Sequence, residues 1–142
     1  MTLRKRRPGL VYPTWEDWHY VGDVGEPDFY TDAGDGPDWE NNGGGWPPLA
    51  FRHREAGVVD VIGGIHRIDS TVGIIVQLPE AYRPATQTFF PVYISDTGTP
   101  DHLPGMAVIG NGGYLEISGP AVPDPDGYAY IAGSFFIDTA AP

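Results

Sequence analysis

Cysteine is absent from the 142 residues. Its absence removes disulfides, thiolate nucleophiles and Cys-ligated zinc, and fits assembly in a reducing cytoplasm. Long uninterrupted runs are missing too. With 20 Gly and 15 Pro, no stretch free of both exceeds eight residues, the length reached at 14–21, 49–56, 65–72 and 134–141. An average helix of about 11 residues has nowhere to sit, whereas strands of about five or six fit throughout. No apolar run approaches the roughly 18 residues of a membrane span, so membrane insertion is not expected. No apolar signal core follows the basic start, which points to assembly where the chain is made or export by another route.

Basic residues are scarce, eight against 19 acidic ones, for a net charge of −11. Four of the eight are Arg4, Lys5, Arg6 and Arg7, read as a solvated tail; the remainder sets four basic against 19 acidic side chains, or −15. A body of that sign is not expected to bind nucleic acid, whose affinity depends on neutralising phosphates. What is plentiful is apolar and aromatic material, at 41% and 13%, which argues against disorder despite the Gly and Pro content.

The chain divides at about residue 48. Residues 8–48 hold nine acids, no Lys or Arg, and all four Trp: Trp15, Trp18, Trp39 and Trp46. Gly, Pro, Asp and Asn interrupt this stretch, which reads as loops and extended pieces rather than ladder strands. Its rings would be costly to leave in water. Residues 1–48 are therefore expected to form an extended arm lying on its own domain, a neighbouring subunit or another protein, with Trp15, Trp18, Tyr20 and Trp39 as docking residues.

From residue 49 to 142 the pattern is regular. Strands are expected at 49–54, 58–68, 72–78, 87–95, 106–109, 114–118 and 128–138. Alternation places Val59, Val61 and Ile65 on one face, Ile74, Val76 and Leu78 on another, and Ile131, Phe135 and Ile137 on a third. Gly63-Gly64 marks a bulge or a close backbone approach. A loop is expected at 96–104, an irregular corner between Pro79 and Pro84, and a hairpin turn at Asn111-Gly112-Gly113. Seven short strands joined by turns make the chain all-β, an antiparallel, jelly-roll-like β-sandwich.

Catalytic patterns are not evident. His19, His53, His66 and His102 lack the spacing of a zinc protease, although His53 and His66 could meet across strands. The acidic segment 32–40 offers oxygen ligands of the kind calcium takes, but Asp–Gly turns account for it more plainly, so no cofactor is expected. Gly43-Gly44-Gly45 lacks the helix and Lys of a phosphate loop. No nucleophile elbow is present, and paired carboxylates are set in space rather than in sequence. The chain reads as a binder or building block rather than an enzyme. Aromatic rings suit sugar binding, because their faces stack on pyranose rings. Tyr128 and Tyr130 alternate with core positions and should face outward; Tyr114, Tyr93 and His102 are further candidates. Packing of these rings against a subunit or the arm is the plainer alternative.

One ordered series of motifs stands out. Asn42 and Trp46 precede Pro47-Pro48; Phe51-Arg52 follows, then Gly57 and the strand Val59-Asp60-Val61-Ile62-Gly63. After Gly73-Ile74-Ile75 comes Leu78-Pro79-Glu80-Ala81-Tyr82-Arg83-Pro84, then Phe90-Pro91-Val92, the Asn111-Gly112 hairpin and Ile131-Ala132-Gly133-Ser134-Phe135. From Trp46 to its end the chain resembles a domain of tail-fibre and minor tail proteins of long-tailed bacteriophages, with Ala81 where that family usually has Gly. The resemblance implies a β-sandwich head on a virion tail, assembled in the host cytoplasm, commonly homotrimeric, joined to other tail proteins and contacting host-envelope glycans. The motif residues Trp46, Arg52, Gly63, Leu78, Pro79, Tyr82, Arg83, Pro84, Asn111 and Gly112 are then expected to build the fold. Tyr82 would plug one end, and Arg83 would pair with an acid or with carbonyls of the corner. Alternative readings are a virion decoration protein that braces a shell or tube without binding the host, and a carbohydrate-binding module or glycoside hydrolase.

Overall fold

The computed structural model describes residues 15–31, 36–55, 57–68, 73–95, 102–118 and 127–137. Among the described residues nine strands form: β1 (His19–Tyr20), β2 (Trp39–Asn41), β3 (Ala50–Glu55), β4 (Val58–Arg67), β5 (Val76–Gln77), β6 (Thr88–Ser95), β7 (His102–Ile109), β8 (Tyr114–Ser118) and β9 (Tyr128–Phe136). The all-β, antiparallel expectation holds. All nine strands join one sheet in the order β1-β3-β4-β9-β6-β7-β8-β5, with β2 pairing β4 beside β3. Hydrogen bonding thus draws no division into the two separate sheets of a sandwich. The sheet instead curls: Tyr82, just after β5, meets Phe51 of β3 edge-on at 4.8 Å, so elements far apart in the strand order share one core.

That core follows the alternation. Val59 and Ile65 are fully buried and Val61 nearly so; Ile131 and Phe135 face the same interior, with Ile137 packed at its margin. Gly63 allows the close approach expected of it, since a Cβ there would stand 2.4 Å from the Leu49 Cα. At the corner, Glu80–Tyr82 forms a short 3-10 turn. The Arg83 Nε donates to the Leu78 carbonyl at 2.8 Å, and the Leu78 N–H donates to the Gly113 carbonyl at 2.9 Å, tying the corner to the β7–β8 hairpin.

Three expectations need correction. The first is that residues 8–48 lack ladder strands. β1 pairs with β3 and β2 with β4, and Val21 and Trp39 enter the core. Trp39 is 1% exposed, so it is not presented to a partner as the docking role required. Second, the strand expected at 72–78 has regular pairing only at Val76–Gln77, and Ile75 is buried together with Val76 and Leu78. Both sides are covered there: Phe29 bridges Val76, and the Ile75 carbonyl accepts from Tyr30 while its N–H donates to Leu115. Third, the end of the loop expected at 96–104 is already strand. Pro104 pairs with Tyr93, and a Cβ on Gly105 would stand 2.3 Å from the Ile94 Cδ1, so glycine there admits the Ile94 side chain. Pro91 is tolerated inside β6 because the ladder to β9 begins only at Val92.

Candidate functional site

The curled sheet carries an aromatic cleft on its outer side. Register assembles it. Gly64 of β4 lies opposite Tyr130 of β9, which lies opposite Tyr93 of β6; in the next row His66 faces Tyr128, which faces Ser95. Side chains two residues apart share a face, so both rows point away from the core. Trp46, Tyr93, Ser95, Tyr128 and Tyr130 line a cleft of about 310 Å³. That volume lies at the small end of ligand sites, roughly 300–1,000 Å³.

Trp46 reaches the cleft through glycine. Gly43, Gly44 and Gly45 all adopt positive φ (70°, 61° and 90°), and this turn carries the chain back over β4. The Asn42 N–H donates to the Gly64 carbonyl at 3.0 Å, and the Gly64 N–H donates to the Pro47 carbonyl at 2.8 Å. The indole then lies on Gly64, where a Cβ would come within 2.5 Å of the ring. Tyr130 meets it at 5.6 Å between centroids, tilted by 58°.

At the other row, the His66 ring lies 5.2 Å from that of Tyr128. The Glu40 carboxylate, opposite it on β2, meets the His66 Nδ1 at 3.0 Å and gives this end of the cleft a negative charge. Among the described residues, no group bonds the hydroxyls of Tyr93, Tyr128 or Tyr130. Tyr93 is 65% exposed. The site thus offers stacking faces and open phenolic OH groups, each able to donate and accept.

The expected receptor residues separate. Tyr128 and Tyr130 come together with Tyr93, while Tyr114 lies against Tyr30 and lines another depression with Asn111, Gly112 and Phe89. The side chain of His102 lies outside the described residues. Trp46, expected only to build the fold, is a wall of the cleft. Its signal was present in Gly43-Gly44-Gly45, the turn that folds it back, and in the Gly at position 64 that it covers.

A second cluster joins the N-terminal segment to the sheet. The Tyr82 hydroxyl donates to Glu16 Oε1 at 2.6 Å and lies 3.0 Å from the His19 Nε2. His19 stands between two carboxylates, with Nε2 2.9 Å from Glu16 and Nδ1 2.7 Å from Glu26. The His53 ring stacks on Tyr82 at 4.3 Å. For Glu16, burial pushes the carboxyl pKa up, but the His53 N–H, the Tyr82 hydroxyl and His19 outweigh it and hold the group at about 2. Burial lowers the His19 pKa, yet the two carboxylates raise it above its usual value. Burial and the Glu16 carboxylate push the Tyr82 hydroxyl up. Through these bonds the cluster clasps residues 16–26 to Tyr82 and His53. His53 and His66, which could have met across strands, pair instead with Val59 and Glu40.

Of the remaining docking residues, Trp15 is 57% exposed and Tyr20 39%. The Arg52 guanidinium lies 4.6 Å from the Trp15 ring and 4.1 Å from that of Trp18, while Arg52 and Arg54 both approach Asp60. Of the segment considered for calcium, 32–35 lies outside the described residues, Asp38 is buried and Glu40 engages His66. Among the described residues no three His, Asp or Glu side chains gather around a common point for a metal. In comparisons with known proteins, no family model matches the chain and no curated protein matches it significantly.

Proposed function

We propose that the protein is a non-enzymatic virion component of a bacteriophage tail, a minor tail or tail-fibre element that contacts the host surface through its β domain. The observation that carries this reading is the aromatic cleft of Trp46, Tyr93, Tyr128 and Tyr130, a preformed stacking surface. The ordered motif series from Trp46 onward supports the tail assignment. The exposed Trp15 and Tyr20 are the residues left for contact with other tail proteins. Assembly takes place in the host cytoplasm, and the final location is the particle.

Copies associate as a homotrimer through the end of β9, β6 and β7 away from the cleft, which leaves Tyr93, Tyr128 and Tyr130 open to the host. β9, β6 and β7 are neighbours and contain no Asp, Glu, Lys or Arg, while Phe89, Met106 and Phe136 are exposed on them. Depletion of charge with enrichment in aromatics marks the centre of protein interfaces. The same face favours a second reading, a decoration protein that braces the particle through copies of itself and leaves the host untouched.

A binding measurement separates the two. Purified chain should be retained by an envelope fraction of the host bacterium, and Tyr93→Ala should lose that retention. Equal retention of both proteins, or of neither, would favour decoration, and a tagged copy imaged away from the tail would overturn the tail assignment.

A further inference from the structure

The cleft has a composition that bears on what it takes. Among the described residues its lining contains no cation, and the charge set beside it belongs to the Glu40 carboxylate, whose side chain is 53% exposed. The chain as a whole carries −11. An anionic ligand would meet repulsion with no compensating partner, and desolvating an unpaired charge there is costly. A wholly apolar ligand would leave the hydroxyls of Tyr93, Tyr128 and Tyr130 without water or partner. The ligand that fits has one apolar face and a rim of uncharged groups that both donate and accept.

We infer that the cleft selects an uncharged pyranose sugar, stacked on Tyr130 and Tyr93 against Trp46, with its hydroxyls read by the tyrosine OH groups, and that Glu40 excludes acidic sugars and phosphate-bearing polymers. This rests on the cleft being the host-contact surface and names the chemistry it contacts. Adjacent strands are about 4.8 Å apart and alternate residues about 6.8 Å, so the two rows form a platform on the scale of a sugar ring. The Trp46 wall limits its length, and 310 Å³ suits a chain end or short stretch rather than a long polymer. Glu40 acts at two levels: it repels anions, and its bond to His66 holds the ring that lies against Tyr128. A proline-rich peptide also favours aromatic grooves. Its ridge offers carbonyl acceptors alone, whereas phenolic hydroxyls surrounding the cleft can both give and receive.

Titration calorimetry on the full chain tests this, using neutral oligosaccharides of glucose, galactose and N-acetylglucosamine, their uronate counterparts, and a proline-rich peptide. At least one neutral sugar should bind, with its uronate counterpart on the order of tenfold weaker at low salt and the gap narrowing as salt screens Glu40. Tyr130→Phe, which keeps the ring, should weaken binding by about three- to tenfold, the worth of one hydrogen bond. Glu40→Gln should narrow the discrimination against uronates. Thermal unfolding of each variant checks that the fold survives. Equal or tighter binding of uronates, or peptide binding that depends on Tyr93, overturns the sugar assignment. If Tyr93→Ala abolishes retention by host envelopes that no neutral sugar can compete away, the sugar inference fails while the host-contact reading stands. If Tyr93→Ala is retained like the parent, both fall.

Discussion

The Tyr82 hydroxyl, bonded to Glu16 at 2.6 Å and 3.0 Å from His19, makes the fold pH-sensitive from both directions. The Glu16 carboxyl is lowered from 4.5 to about 2, so its contribution is present above 4.5 and is lost as pH falls through about 2. The His19 pKa is raised above 6.5, so its contribution is complete below 6.5 and is lost as pH rises through the raised value. The clasp is therefore tightest between pH 4.5 and 6.5. Urea unfolding across pH should show a maximum there. Glu16→Gln should flatten the acid limb and His19→Asn the alkaline one; an unchanged profile in either variant would show that the group does not carry the effect. Gly73 is a second sensitive residue, since a Cβ there would overlap the buried Asp38 carboxylate. Gly73→Ala should lower the unfolding midpoint, measured by circular dichroism.

Among the elements, β4 and β9 form the spine, paired over the full length of β9. Leu78, just after β5, and Ile131 within β9 are fully buried. Leu78→Ala and Ile131→Ala should each cost on the order of 2–5 kcal/mol in denaturant unfolding. Near-neutral values would show that those sites collapse freely. These strands were legible in the sequence because alternation with period two survives wherever one face is buried, as at Val59, Val61 and Ile65. β5 was legible only in part, because contacts on both sides erase alternation and bury Ile75 beside Val76. β1 and β2, two and three residues long, were not legible at all. Such short pieces have no period, and only pairing with β3 and β4 makes them strands. The cleft was half legible for a related reason. Parity turned Tyr128 and Tyr130 outward, but the meeting with Trp46 depends on a glycine turn whose path composition does not specify.

For the whole molecule, residues 15–31 and 36–48 are part of the domain, not an appendage. Deleting residues 1–45 removes β1, β2, Val21 and Trp39 from sheet and core, so the truncated chain should unfold or lose most of its stability; Trp39→Ala alone should cost about 3–5 kcal/mol. A truncated protein with an unshifted melting curve would contradict that integration. Light scattering should show a multiple of 15.4 kDa, three for the proposed homotrimer, and a persistent monomer at high concentration would count against association through β9, β6 and β7. The ends of the sheet bear on how such association can proceed. β1 and β5, at the two ends of the strand order, are two residues each. Along β3, Glu16 occupies both the N–H and the carbonyl of His53. Edges this short and this well capped give an incoming strand little to template on. Copies crowded together are thereby steered away from open-ended strand addition and fibril growth, and toward contacts between faces, which close on themselves.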